Sequence, residues 1–415
     1  LWKNQLFDAK DLKTTQGESI RIHDPGKENG HAGADFQEAK ICIDSLDWVG
    51  SVELHVHSSD WHAHTHENDP SYENVILHVV WEHNTEIFRS DNSVIPVLEL
   101  KNYVASEMLF NYQSLRSAKS WLFCENQLSD LDEFLLRNWQ ERLFFERLER
   151  KSKPILDLLV TSNSDWEAVL FSLLAKNFGL NTNGEQFLKI VNAIPFSVIR
   201  KECSELENIE ALLFGNAGLL DFDKEDCYFK DLKFRYNYLL QKHQLTKPII
   251  APVQFFKHRP DNFPTIRLAQ LAALYHNQHN LFSKIIASNS VEAIYKLCEV
   301  STTPYWLNHY QFDKESPKKR KLLSKSFVDL LIINTILPIQ FAYAQSQGRE
   351  NSEDLVQLVQ EMAPERNTVI DKFRSFGIKS NNAFETQSLL QLKNEYCDKS
   401  KCLSCAIGIE LIKNK

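Results

Sequence analysis

The chain has no run of about 18 uncharged apolar residues. The nearest approach, Asp329 to Ala344, begins on a charge and is broken by Pro338, so a membrane span is not expected. Leu1 to Ala9 lacks the apolar centre of a secretory leader. Eight cysteines in 415 residues, five of them scattered singly, are too sparse for the paired framework of a small secreted domain. Reduced thiols or a metal site fit better, and a cytoplasmic location is the expectation. No fixed-period repeat is present, which sets a solenoid aside.

What the chain does contain is ordinary for a globular protein: 43% hydrophobic and 25% charged residues, enough for two or three cores. The net charge of −8 conceals an asymmetry. Residues 1–100 carry 7 Lys+Arg against 18 Asp+Glu, and nine of the fourteen histidines. The remainder, with 40 against 37, is slightly basic. Carboxylate and imidazole gathered in one segment favour divalent metals.

Short runs of period-2 alternation mark strands at Ile20–His23, Ala39–Ile43, Val52–His57, Val75–Trp81 and Pro96–Leu100. Asp24-Pro25-Gly26 and Asn29-Gly30 supply turns. Asp69-Pro70 opens a short helix between the third and fourth runs. After Lys101 the pattern turns helical. Ser164-Asp165-Trp166-Glu167 has the form of a capping box, and Gly179 that of a helix-ending glycine. The expectation is an α/β domain over residues 1–100 and a large all-α domain over 101–415.

Glu53, His55 and His57 fall on one face of their strand, with Val52, Leu54 and Val56 on the other. Asp35 heads the preceding strand, and antiparallel pairing would set its carboxylate beside Glu53. Two such carboxylates hold a hard cation, Mg²⁺ or Mn²⁺, or share a proton. A metal there would activate water and polarise a phosphoryl oxygen.

Asp35 followed by Glu53-Leu54-His55 resembles the core of the PD-(D/E)XK nuclease superfamily, with Asp69 and Tyr72 as further matches on the following helix. The resemblance implies a restriction-endonuclease-like mixed sheet, Asp35 and Glu53 as metal ligands with His57 or His78 in support, and DNA or RNA as partner. His55 stands where that pattern has the lysine that orients water. The whole chain also resembles an uncharacterised bacterial family of unknown function, through His31-Ala32-Gly33-Ala34-Asp35-Phe36, Val52-Glu53-Leu54-His55, Ser59-Asp60-Trp61, Asp69-Pro70-Ser71-Tyr72 and Val75-Ile76-Leu77-His78.

His62, His64 and His66 alternate, and in an extended loop their rings would project one way toward a zinc ion, with Asp60 or Asp69 completing the set. The alternative is an exposed polar loop. A β-lactamase-type hydrolase needs Asp-His where Glu67-Asn68 stand, and a cupin needs Glu near Trp61-His62.

Cys397, Cys402 and Cys405 have spacings that wrap one metal, with Cys124 as the fourth thiolate. Zinc or an iron–sulfur cluster is the implied group; three free thiols are the alternative. Cys42, Cys203, Cys227 and Cys298 read as small core residues. Lys318, Lys319, Arg320 and Lys321 form the densest basic run, and Arg259 and Arg267 flank a proline-marked helix start; both are candidate phosphate contacts, or else ordinary solvated and ion-paired side chains.

Three functional readings follow: a metal-dependent nuclease working through Asp35, Glu53 and His55; a non-catalytic nucleic-acid or protein-binding scaffold on the same fold; and a zinc or iron hydrolase of a small substrate.

Overall fold

The computed structural model describes residues 1–30, 32–117 and 120–413, the side chains of 114–117 apart. His31, part of one of the family-like phrases, lies outside the described residues. The chain divides into two compact units, Leu1–Leu131 with Ser400–Lys415, and Asp132–Lys399. The first is built on a mixed sheet and the second is helical.

Among the described residues, the sheet has six strands: β1 (Ile20–Asp24), β2 (Lys27–Glu28), β3 (Phe36–Ile43), β4 (Leu46–His57), β5 (Val75–Glu82) and β6 (Val97–Glu99), ordered β1-β3-β4-β5-β6 with β2 on β3. The β1, β3 and β4 pairings are antiparallel, while β4–β5 and β5–β6 are parallel. Asp44, at φ 52°, makes the tight turn from β3 to β4. Its carboxylate accepts the Ser19 N–H at 2.9 Å, which fixes β1 on the same turn.

Alternation along β3 changes phase. Phe36 is buried and so are Ala39, Ile41 and Ile43. The extra residue is absorbed between Phe36 and Ala39, where the pairing with β4 slips and Glu38 takes φ 59°. This is a β-bulge, and it aims the head of β3 independently of its end.

β5 is buried from Val75 through Val80, as expected of an inner parallel strand covered on both faces. One face, Leu77 and Val79 with Val52 and Leu54 of β4, clusters with Trp2, Phe7, Leu12 and Ile41. The other, with Val75 and Val80, meets Ala34, Trp61 and Tyr72. The parallel pairing forces a crossover, residues 58–74, which contains one helical turn, α1 (Asp60–Ala63), and two 3₁₀ turns, His66–Asn68 and Pro70–Tyr72. Gly50 lets the two strands close together, since a Cβ there would lie 2.5 Å from Ile76 Cγ2 and 2.6 Å from the Asn74 carbonyl oxygen.

The helical unit has a large apolar core drawing on residues from Phe144 to Phe384. Its sequence-expected capping box is displaced by one residue: Asp165, not Ser164, caps Trp166–Phe178, accepting from the N–H groups of Glu167 and Ala168 at 3.1 Å each. Ser164 sits at φ 63° and cannot serve. Gly179 is also not the left-handed terminator expected, because its φ is −71° and Leu180 takes the positive angle instead. It is glycine for space, a Cβ meeting the Asn183 carbonyl oxygen at 2.5 Å.

The helix over Lys325–Ser346 is long and apolar enough to cross a membrane by length and composition, yet 78% of its apolar window is buried within the structure. It contains a π turn, Ile332–Ile336, just before Pro338. Proline has no N–H to give to the carbonyl four residues back, and the widened turn accommodates that loss.

Candidate metal centre

The head of β3 and the middle of β4 bring Asp35 and Glu53 together through a reciprocal backbone contact. The Asp35 N–H donates to Glu53 Oε2 at 2.9 Å, and the Leu54 N–H donates to Asp35 Oδ2 at 3.2 Å. Glu53 is 5% exposed. Burial, opposed by the Asp35 N–H and reinforced by the nearby Asp35 charge, pushes its carboxyl up to about 7.

Glu53 Oε1 faces imidazoles: it lies 3.5 Å from His66 Nε2 and 3.7 Å from His55 Nε2. His55 Nε2 is 3.0 Å from His64 Nδ1. One ring nitrogen of each of His55, His64 and His66 lies within 4.8 Å of the others. Nitrogen donors about 2.0–2.1 Å from a tetrahedral metal stand a little over 3 Å apart; the His55–His64 pair is near that spacing, and the whole set lies within 4.8 Å. Behind the cluster, His55 Nδ1 contacts His78 Nε2 at 2.8 Å. A ligating histidine commonly has its second nitrogen held in this way.

Burial drives His55 down to about 4 and His78 to about 3, and it lowers His66 as well. At neutral pH these rings are uncharged, which is the state that offers a lone pair. His55 is thus a neutral ring engaged at both nitrogens, unlike a lysine ammonium.

Aromatic packing fixes the crossover side of the cluster. The His66 ring stacks on Tyr72 at 3.8 Å between centroids and meets the edge of Trp61 at 5.4 Å. Trp61 is 1% exposed and also packs on His78 at 5.5 Å. The His66 Nε2 atom is buried and makes no hydrogen bond.

The three alternating histidines do not act together. Residues 60–63 are helical and Thr65 takes φ 58°, so period-2 geometry fails in this loop. His64 and His66 join His55, whereas His62 turns to Glu67 at 3.5 Å. His57 is exposed and lies 3.9 Å from Asp60. His78 supports His55 from behind and is not one of the three converging nitrogens.

Within the same unit, Cys124 is brought near Cys402 and Cys405, whose charges add to burial in pushing its thiol up to about 12. The turn carrying Cys402 is pressed on the helix Ala406–Lys413 at Gly408, where a Cβ would lie 2.3 Å from the Cys402 carbonyl oxygen. Cys397 belongs to the helical unit, at the end of the π turn Lys393–Cys397. Of the four cysteines expected in the core, Cys298 is buried, Cys42 and Cys203 are half-buried, and Cys227 is exposed at the first position of its helix.

The basic candidates of the helical unit are spread out. Arg267 is buried, bonded to Gln270 and Asn262, with its guanidinium 3.5 Å over the Phe327 ring. Lys319 pairs with Asp261 at 2.6 Å, and Lys321 is buried with its ammonium 3.8 Å over the Tyr310 ring. Arg259, Lys318 and Arg320 are exposed.

No curated protein and no solved structure matches the chain in comparison. The sequence model of the family described as protein of unknown function (DUF2851) matches residues 1–368, and the chain belongs to that family.

Proposed function

We propose that the N-terminal unit is a metal-dependent hydrolase of phosphodiester bonds in DNA or RNA, its metal held by His55, His64, His66 and Glu53 Oε1. The observation that carries this reading is the convergence of one ring nitrogen from each of His55, His64 and His66 with one buried carboxylate oxygen. Such a donor set suits zinc, manganese or iron better than magnesium. The bound ion would supply an activated water and polarise a phosphoryl oxygen.

The phosphodiester class is supported by the arrangement of the sheet. An Asp at the head of one strand faces a Glu on its antiparallel neighbour, and a crossover then leads to a parallel strand, as in the PD-(D/E)XK pattern. Where that pattern has lysine, His55 serves as a ligand in this reading. Asp35 is left beside the centre with one carboxylate oxygen on the Leu54 N–H, and in this reading its other oxygen serves water or a second cation.

The test combines metal analysis of the purified full chain with incubation on DNA and RNA in added zinc, manganese or magnesium. Metal-dependent cleavage, lost together with bound metal in Glu53→Gln and His66→Ala, is expected. Unchanged metal content and cleavage in Glu53→Gln would sink the reading. The same metal analysis, with acid-labile sulfide, tests zinc or an iron–sulfur group at Cys124, Cys402 and Cys405.

A further inference from the structure

The helical unit contains a cavity of about 380 Å³ lined by Lys151, Lys176, Asn177, Asn181, Glu185 and Asn334, among others. This is within the range of small-ligand sites. Its charges do not balance. Lys176 pairs with Glu185 at 2.7 Å, leaving Lys151. The Lys151 ammonium donates to Asn334 Oδ1 at 2.9 Å, and Arg147, one helical turn earlier, donates to the same oxygen at 3.4 Å.

Neither cation has a carboxylate within ion-pair distance among the described residues. The counter-charge that Arg147 does sense, Glu365, is engaged by the Gln387 amide at 2.6 Å. Arg150 cannot neutralise anything here, being itself cationic and turned to Gln391 and Glu395. Two half-buried cations sharing one amide oxygen are costly unless an anion joins them. Burial accordingly lowers Lys151 to about 7 and Arg147 to about 10.

Asn334, which gathers both cations, lies on the π turn Ile332–Ile336. Its own amide N–H is anchored on the Leu330 carbonyl at 3.1 Å, so its Oδ1 is aimed inward. Asn177 is likewise fixed, donating to the Leu173 carbonyl at 3.0 Å and Thr335 Oγ1 at 2.8 Å. A π turn is a frequent mark of a functional position in a helix.

We infer that this cavity binds the phosphoryl group of a small phosphorylated molecule through Lys151, with Lys176 on the same wall exchanging Glu185 for the phosphate and Arg147 adding charge from the shared Asn334 oxygen. Two ammonium groups on one wall, with a guanidinium on the same Asn334 oxygen as Lys151, match the double charge of a phosphate. A polynucleotide phosphate offers the same chemistry, and the experiment separates the two sources.

The full-length protein is titrated with inorganic phosphate, adenosine 5′-monophosphate and a single-stranded oligonucleotide, following heat of binding and thermal unfolding. Phosphate and the mononucleotide are expected to bind and raise the Tm. Lys151→Met should raise the Tm without phosphate, since it removes an unneutralised charge, and should weaken phosphate binding about 10- to 100-fold. His64→Ala should leave the phosphate response intact, which separates this cavity from the metal centre.

A lower Tm in Lys151→Met with an unchanged phosphate response would overturn the inference, as would a phosphate response lost in His64→Ala. Tight binding of the oligonucleotide that Lys151→Met abolishes, with none of the mononucleotide, would overturn the small-molecule source. Should Lys151→Met fail to fold, protection of Lys151 from acetylation by phosphate in the unaltered protein decides: protection supports the site, and none refutes it.

Discussion

The Asp35 backbone N–H holds Glu53 by Oε2, leaving Oε1 turned toward His55 and His66. The two residues therefore contribute differently. Asp35 positions Glu53 through its main chain, independently of its side chain. Asp35→Ala should keep metal binding near that of the unaltered protein while cleavage falls about 10²-fold or more, the scale of a lost acid–base or water-positioning group. Parallel metal analysis and cleavage rates check this, and equal cleavage would remove the carboxylate from the reaction.

The histidines of the crossover should separate cleanly. His66→Ala and His64→Ala lose bound metal, whereas His62→Ala, whose ring faces Glu67, retains it. Elemental analysis of the three variants after dialysis is the measurement. Equal retention in all three would disperse the proposed donor set.

Gly50 is required by proximity. Gly50→Ala forces a Cβ into Ile76 and the Asn74 carbonyl, prising β4 from β5. Overpacking of this kind costs about 1–3 kcal/mol. Denaturant unfolding of the variant should show that loss, with metal affinity reduced alongside because Glu53 and His55 ride on β4.

Glu210 sets a pH dependence in the helical unit. It accepts from the Tyr228 hydroxyl and from the Trp306 indole N–H at 3.3 Å, and its other oxygen has no partner. Burial pushes it up to about 8. An unfolded glutamate titrates near about 4.3, so between these values the folded chain binds more protons. Stability conferred by this group is full below the lower value and is lost as pH rises through the upper one, by a few kcal/mol at the order-of-magnitude level. Urea unfolding across that window should show the decline, and Glu210→Gln should flatten it.

The displaced helix cap gives a sharp contrast. Asp165→Ala should destabilise by about 1 kcal/mol, the usual value of a lost cap. Ser164→Ala should have little effect, its hydroxyl lying outside the cap. Thermal unfolding of the two variants distinguishes the sequence-expected start from the observed one.

Much of the sheet was legible because its physics is local. The alternation of Val52, Glu53, Leu54 and His55, and the apolar run of Val75–Val80, carry strand and burial in the residue types themselves. The pairing of Asp35 with Glu53 followed from the same alternation plus a short connection. What could not be read was conformation that depends on a single backbone angle. Thr65 and Ser164 are residue types that disfavour the left-handed region, so nothing in the sequence announces it there, and each changes which neighbour is used: His64 and His66 with His55, Asp165 as the cap. The bulge at Glu38 is equally silent. Burial of Arg147, Lys151 and Glu210 was also hidden, since a charged residue in a helical stretch reads as solvent-facing until its neighbours from distant turns are known.

The crossover from β4 to β5 leaves one strand and then returns two imidazoles to it. Anything those rings share with Glu53 and His55 acts as a clasp at the midpoint of a polar stretch otherwise secured at its ends and by Trp61 and Tyr72. On the proposed reading, removing a bound ion with a chelator should make residues 62–70, most of them exposed, a faster substrate for a protease. The rate of nicking in that stretch then reports occupancy of the centre without any assay of its chemistry.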